Sequence, residues 1–120
     1  MTLFQKKNFV LKSGKETDWK IEADSLTLED LDTLALLVSK KYNFSKVYGV
    51  PTGAVRFAKA CEPYCKPGHP ILIVEDVVTT GGSMERYRKE LNLTGDVIGV
   101  SIFARGTYPD WIHPMFIFWD

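Results

Sequence analysis

The stretch from Ile71 to Met84 constrains the fold of this chain more than any other: Ile-Leu-Ile-Val-Glu-Asp-Val-Val-Thr-Thr-Gly-Gly-Ser-Met. Ile71–Val74 is a continuous apolar run bounded by Pro70. Such a run reads as a strand buried on both faces, as in a parallel sheet. Two adjacent carboxylates follow, Glu75 and Asp76, and then a turn, Thr79-Thr80-Gly81-Gly82-Ser83, that opens a charged helix over Ser83–Leu91. A buried strand of this kind delivers its C-terminal end to the sheet edge, where open α/β sheets bind ligands. Backbone N–H groups and hydroxyls at a helix N-terminus make an anion site suited to a phosphate monoester. Gly81 and Gly82 let the backbone come close to that ligand. Ionised carboxylates accept hydrogen bonds, so Glu75 and Asp76 suit the hydroxyls of a sugar attached to the phosphate. A ribose 5-phosphate fits both halves. The pattern is neither a Walker loop, since no Gly-Lys-Ser/Thr follows, nor Gly-x-Gly-x-x-Gly.

The rest of the chain reads as alternating strands and helices. Residues 8–12 predict a short strand, Ser13-Gly14-Lys15 a turn, and Trp19–Ala23 a second strand with one wet face. A helix is expected over Ser25–Lys41, capped by Ser25 or Thr27, with Glu29 and Asp30 in its first turn and Lys40-Lys41 at its end. Strands are expected at Lys46–Val50, Asp96–Phe103 and Met115–Trp119, with a short helix over Gly53–Cys61. This order predicts an α/β fold: an open, mainly parallel twisted sheet with helices on both faces, right-handed crossovers and an N-terminal β-hairpin.

One domain, residues 1–120, is the expectation for a chain of 120 residues without a linker or repeat. Fifteen basic and fifteen acidic residues cancel, so no overall field draws the chain to nucleic acid or an anionic membrane. No apolar run approaches the roughly 18–20 residues of a membrane span, and the start lacks the long apolar stretch of a signal peptide. Cys61 and Cys65 make no disulfide framework, and a reducing cytoplasm is the expected compartment. Cys61, Cys65 and His69 are spaced by four, but Pro63, Pro67 and Pro70 break any helix through them; a plain loop is expected there, and no metal site. Trp111, Phe118 and Trp119 crowd the C-terminal end and are expected to fill a core or a homodimer interface.

Glu75–Ser83 resembles the phosphoribosyl pyrophosphate (PRPP) signature of the type I phosphoribosyltransferases. The resemblance implies that Glu75 and Asp76 are the site's catalytic acids, on the ribose hydroxyls. It also implies that Thr79, Thr80, Gly81, Gly82 and Ser83 hold the 5-phosphate. Tyr48-Gly49-Val50-Pro51-Thr52-Gly53-Ala54 is similar to the family's diphosphate loop. That likeness implies diphosphate binding by Val50, Pro51, Thr52 and Gly53, with Arg56 as a further diphosphate contact. Phe9–Ile21 resembles the N-terminal hairpin of the orotate branch, which implies that Lys12 reaches the diphosphate and that Trp19 and Lys20 approach the base. Arg105 falls where that branch places an arginine facing the base; a guanidinium there would pair with an orotate carboxylate. In the orotate branch an extra hairpin and a long mobile basic loop separate the diphosphate loop from the PRPP motif. Here only Cys61–Pro70 spans that gap. The activity implied is transfer of ribose 5-phosphate between PRPP and a nucleobase, orotate or another pyrimidine, with Mg²⁺ bound through PRPP. The alternatives are a non-catalytic PRPP- or nucleotide-binding module and a purine-type transferase.

Overall fold

The computed structural model describes residues 2–11 and 14–119. From the N-terminus come four two-residue strands, β1 (Phe4–Gln5), β2 (Phe9–Val10), β3 (Glu16–Thr17) and β4 (Lys20–Ile21). Helix α1 (Leu28–Lys41) follows, then β5 (Lys46–Gly49), α2 (Val55–Cys61), β6 (Ile71–Val78), α3 (Gly82–Glu90), β7 (Val97–Arg105) and β8 (Ile112–Phe118). β5 to β8 form one sheet in sequential order, every neighbouring pair parallel. The short strands pair antiparallel as β1 with β4 and β2 with β3. The expected hairpin is therefore two nested ladders, and Lys20–Ile21 pairs with Phe4–Gln5 rather than with residues 8–12.

Apolar alternation along β6 builds two core layers. Leu72 and Val74 pack with Leu31, Ala35 and Val38 of α1 and with Phe57 and Cys61 of α2. Ile73 packs on the other side with Met84 of α3, Ala104 and Ile112. Past Asp76, which the β6–β7 register omits, the alternation shifts by one, so Val77 joins the first layer and Val78 the second. Helices thus cover both faces, as the sequence implied. The connections β5–β6 and β6–β7 step the same way across the sheet, yet α2 and α3 lie on opposite faces. Two such connections have opposite hands, so the expected right-handedness holds for one and fails for the other. The residues of α2 find their apolar partners under α1, which fixes that helix to its face.

Local chemistry moved several boundaries. The long helix begins at Leu28, because Thr27 and Asp30 close a capping box: Asp30 N donates to Thr27 Oγ1 at 3.0 Å and Thr27 N to Asp30 Oδ2 at 2.8 Å. Ala23–Ser25 is a separate 3-10 turn. β6 runs through its two acids to Val78, and β7 runs on to Arg105, because the Val77–Phe103 and Val78–Ala104 pairs continue the ladder. β8 begins at Ile112 and tolerates Pro114 because it is the sheet's edge strand. Only residues 106–111 link β7 to β8, whose register sets Ile112 opposite Gly99. Recovering about 20 Å of strand in so few residues leaves no room for a helix; the segment ends in a turn in which Ile112 N donates to Pro109 O at 3.1 Å.

Candidate functional site

The C-terminal ends of β5 and β6 open on a cleft of about 620 Å³. Its walls include Val50–Gly53 from the loop after β5, Glu75 and Asp76 from β6, and Thr79–Ser83 from the turn into α3. Sequence positions some 25 residues apart thus face one another across one space.

Gly53 shows how close the approach is: a Cβ built there would overlap the Asp76 carboxylate, with Asp76 Cγ 3.0 Å away. Gly49, at the end of β5, is packed as tightly: a Cβ there would overlap the Ala54 carbonyl and come within 2.9 Å of Ala58 Cβ. These two glycines fold the loop between β5 and α2 down onto the end of β6. The Pro51–Thr52 peptide within it is cis.

Glu75 is 7% exposed and Asp76 half-buried. Asp76 N donates to Glu75 Oε1 at 3.0 Å, and Val77 N donates to Asp76 Oδ1 at 2.7 Å. These bonds hold the carboxylates at the strand end, where both residues line the cleft. At the turn, Gly81 adopts φ 83°, the left-handed conformation that favours glycine, and acts as the N-cap of α3. Gly82 N donates to Thr80 Oγ1 at 3.3 Å. Backbone amides at the N-terminus of α3, with the hydroxyls of Thr79, Thr80 and Ser83, form a concave donor set.

Lys20 and Arg105 also line the cleft. Lys20 Nζ sits 2.8 Å from Glu22 Oε2. Arg105 is 2% exposed; its Nη1 donates to Trp19 O at 3.1 Å and its Nη2 to Thr17 Oγ1 at 2.7 Å. Its guanidinium carbon lies 3.5 Å from the centroid of the Trp19 ring, a stacked cation–π contact. Trp19 therefore stands behind Arg105, and it lines a separate hollow of about 610 Å³ on the N-terminal ladders. Arg56 is outside the cleft lining and donates to Leu26 O at 3.2 Å and Asp24 O at 3.4 Å. Lys12 lies outside the described residues. The sequence reading missed Arg86, Glu22 and Asp24, all of which line the cleft. The three-residue spacing from Ser83 to Arg86 on one helix was a legible signal for the first of these.

The cysteines stand apart from this site. Burial, and secondarily the charge of Cys65, pushes the Cys61 thiol up to about 12; burial and Glu62 raise Cys65. Among the described residues no group of three or more His, Cys, Asp or Glu side chains is arranged to hold a metal. Among them, no helix is long and apolar enough to cross a membrane.

No family model matches the chain. It is 32% identical to the orotate phosphoribosyltransferase of Pyrococcus horikoshii, over 79% of this chain and 68% of that protein. It is 30% identical to the orotate phosphoribosyltransferase of Pyrococcus abyssi, over 79% and 70%. Its structure superposes on that of orotate phosphoribosyltransferase from Aeropyrum pernix with a TM-score of 0.71 at 18% identity, covering 96% of this chain and 88% of the other.

Proposed function

The chain belongs to the type I phosphoribosyltransferase family, among the homologues of orotate phosphoribosyltransferase, and we propose that it binds PRPP and transfers ribose 5-phosphate to a nucleobase, orotate or another pyrimidine. The observation that carries this reading is the meeting of two loops in one cleft, with Gly53 seated against the Asp76 carboxylate. A phosphate on the amides of Thr79–Ser83 and a diphosphate on the loop Val50–Gly53 bracket a pentose whose hydroxyls reach Glu75 and Asp76.

The chemistry is displacement at the anomeric carbon. The bond from that carbon to the diphosphate oxygen breaks, a ring nitrogen of the base forms the new bond, and the pentose passes through an oxocarbenium-like state. The protein contributes orientation of the pentose between two anion sites. Glu75 and Asp76 also place negative charge beside the electron-poor ring. Lys20 and Arg105 stand on the base side, with Trp19 stiffening Arg105 from behind. Lys12 is proposed to meet the diphosphate. Arg56 holds the carbonyls of Asp24 and Leu26 beside the start of α2, which keeps the diphosphate loop in place. Among the described residues no cluster of three ligands would hold a metal by itself, so Glu75 and Asp76 would meet Mg²⁺ that arrives already bound to PRPP. Bound there, Mg²⁺ would offset the charge of the diphosphate leaving group. We extend the reading to a homodimer, supported by Phe116, Ile117 and Trp119, which are exposed at the sheet's edge and chain end.

One observation favours a second reading, a binding module without turnover. Residues 62–70 between α2 and β6 hold only a 3-10 turn, Glu62–Tyr64, and a short connector. The alignment with the Pyrococcus horikoshii enzyme runs over 127 positions but uses 79% of this chain, about 95 of its 120 residues. About 32 of those positions therefore have no residue of this chain. Loss of basic residues over the diphosphate would remove a large electrostatic contribution to turnover. Titration calorimetry with PRPP and Mg²⁺, run beside an orotate-consumption assay, separates the readings. Binding with consumption supports the transferase, binding without consumption the module, and the absence of both refutes the two together.

A further inference from the structure

Arg86 stands at the rim of the phosphate cup, where neither the sequence reading nor the resemblance places a residue. It lies three positions after Ser83 on α3. Helix side chains lean toward the N-terminus of their helix, and the guanidinium of Arg86 returns over the first turn. Its Nη2 stands 3.4 Å from Ser83 Oγ, and its Nη1 is 3.7 Å from where a Cβ on Gly82 would sit. The side chain is exposed and lines the cleft.

Charge around the cleft gives this position its meaning. Among the described residues lining it, the cations are Lys20, Arg86 and Arg105, and the carboxylates are Glu22, Asp24, Glu75 and Asp76. Lys20 is held by Glu22, and Arg105 is buried on Thr17 and Trp19. The amides and hydroxyls of the turn are neutral donors. A phosphate monoester carries close to two negative charges at neutral pH, and here it must settle next to two carboxylates. Of the three described cations, Arg86 is the one that stands at the phosphate end of the cleft.

We propose that Arg86 is the cationic ligand of the phosphate monoester, its guanidinium shared between Ser83 Oγ and the non-bridging phosphate oxygens. The inference rests on the phosphate cup of the proposed function and adds a residue that sets both affinity and charge selectivity. A guanidinium offers paired N–H groups to phosphate oxygens, whereas lysine offers a point charge. The site so completed selects dianionic sugar phosphates over neutral pentoses.

The test is calorimetry of the full chain with ribose 5-phosphate and, separately, with inorganic diphosphate. Arg86→Gln should weaken ribose 5-phosphate binding by roughly 10- to 100-fold, the range of a charge-assisted hydrogen bond. It should also flatten the salt dependence of that binding and leave diphosphate binding within about two-fold. Arg86→Lys should recover part of the loss, which also guards against misfolding of the first variant. Unchanged ribose 5-phosphate affinity in Arg86→Gln, or an equal loss for both ligands, overturns the inference. If the unsubstituted protein binds no ribose 5-phosphate, the cup itself is refuted; failure of Arg86 alone shows only in the ratio of variant to parent.

Discussion

Gly49 and Gly53 are four residues apart, and alanine at either meets an atom at an impossible distance, yet the consequences should differ in kind. At Gly49 the obstruction is backbone, the Ala54 carbonyl, whose carbon lies 2.9 Å from the added Cβ. Relief requires moving the start of α2. Overpacking of this sort costs about 2–3 kcal/mol. With about 2.1 cal/mol/K of unfolding entropy per residue, a chain of 120 residues loses roughly 4 °C of Tm per kcal/mol. Gly49→Ala should therefore melt about 8–12 °C lower. At Gly53 the obstruction is the Asp76 carboxylate, the end of a side chain that can turn aside. Turning weakens its bond from Val77 N, while alanine lowers the entropy of the unfolded chain by about 0.4–1 kcal/mol. The net cost is about 1 kcal/mol, or about 4 °C. What Gly53→Ala should lose is binding. Displacing Asp76 from the pentose forfeits a charged hydrogen bond, about 1.5–3 kcal/mol, or roughly 10- to 150-fold in Kd. Differential scanning fluorimetry and PRPP calorimetry on both variants read the two effects. Parent-like PRPP affinity in Gly53→Ala would refute the role given to Asp76. A larger Tm loss at Gly53 than at Gly49 would refute the view that the carboxylate yields and the backbone does not.

Arg105→Ala should cost about 3 kcal/mol, since it strips Trp19 O and Thr17 Oγ1 of a buried charged donor; thermal melting should fall by about 12 °C and amide exchange at residues 17–21 should accelerate, while a shift under 2 °C would contradict the clamp. Thr27→Ala breaks the capping box and should cost about 1 kcal/mol in urea unfolding. Cys61 stays protonated in the folded chain up to about pH 12, against 9.0 for the ordinary thiol. Between those values unfolding releases a proton, so stability should fall as pH rises above about 9. Below pH 9 the contribution is fully present, and native Cys61 should resist thiol reagents at pH 8 until denaturant is added.

The parts of the site legible in the sequence are those written locally. The strand, acids and turn of Ile71–Ser83 form one continuous segment, and the buried run plus glycines specify both the sheet edge and the helix start. The loop Val50–Gly53 was legible for the same reason, being a strand end followed by a helix. Long-range partners were not. Pairing of Phe4–Gln5 with Lys20–Ile21 rests on two residues a side, too short for any periodicity. Arg105 reads equally as a base contact or a loop arginine until Trp19 and Thr17, more than 80 residues earlier, are seen to hold it. Arg56 sits beside the Val50–Gly53 loop in sequence, but the carbonyls of Asp24 and Leu26 claim its guanidinium. The opposite hands of the two crossovers depend on which face α1 covers, which no local pattern records.

In the proposed site the turn from Thr79 to Ser83 receives a phosphate while the adjoining acids receive the sugar that bears it. Amide NMR of the protein titrated with ribose 5-phosphate tests this residue by residue. Saturable shifts are expected in the amides of Thr79 to Ser83, with smaller ones at Glu75 and Asp76. Saturable shifts confined to the hollow on the N-terminal ladders, or none anywhere at millimolar ligand, would contradict it.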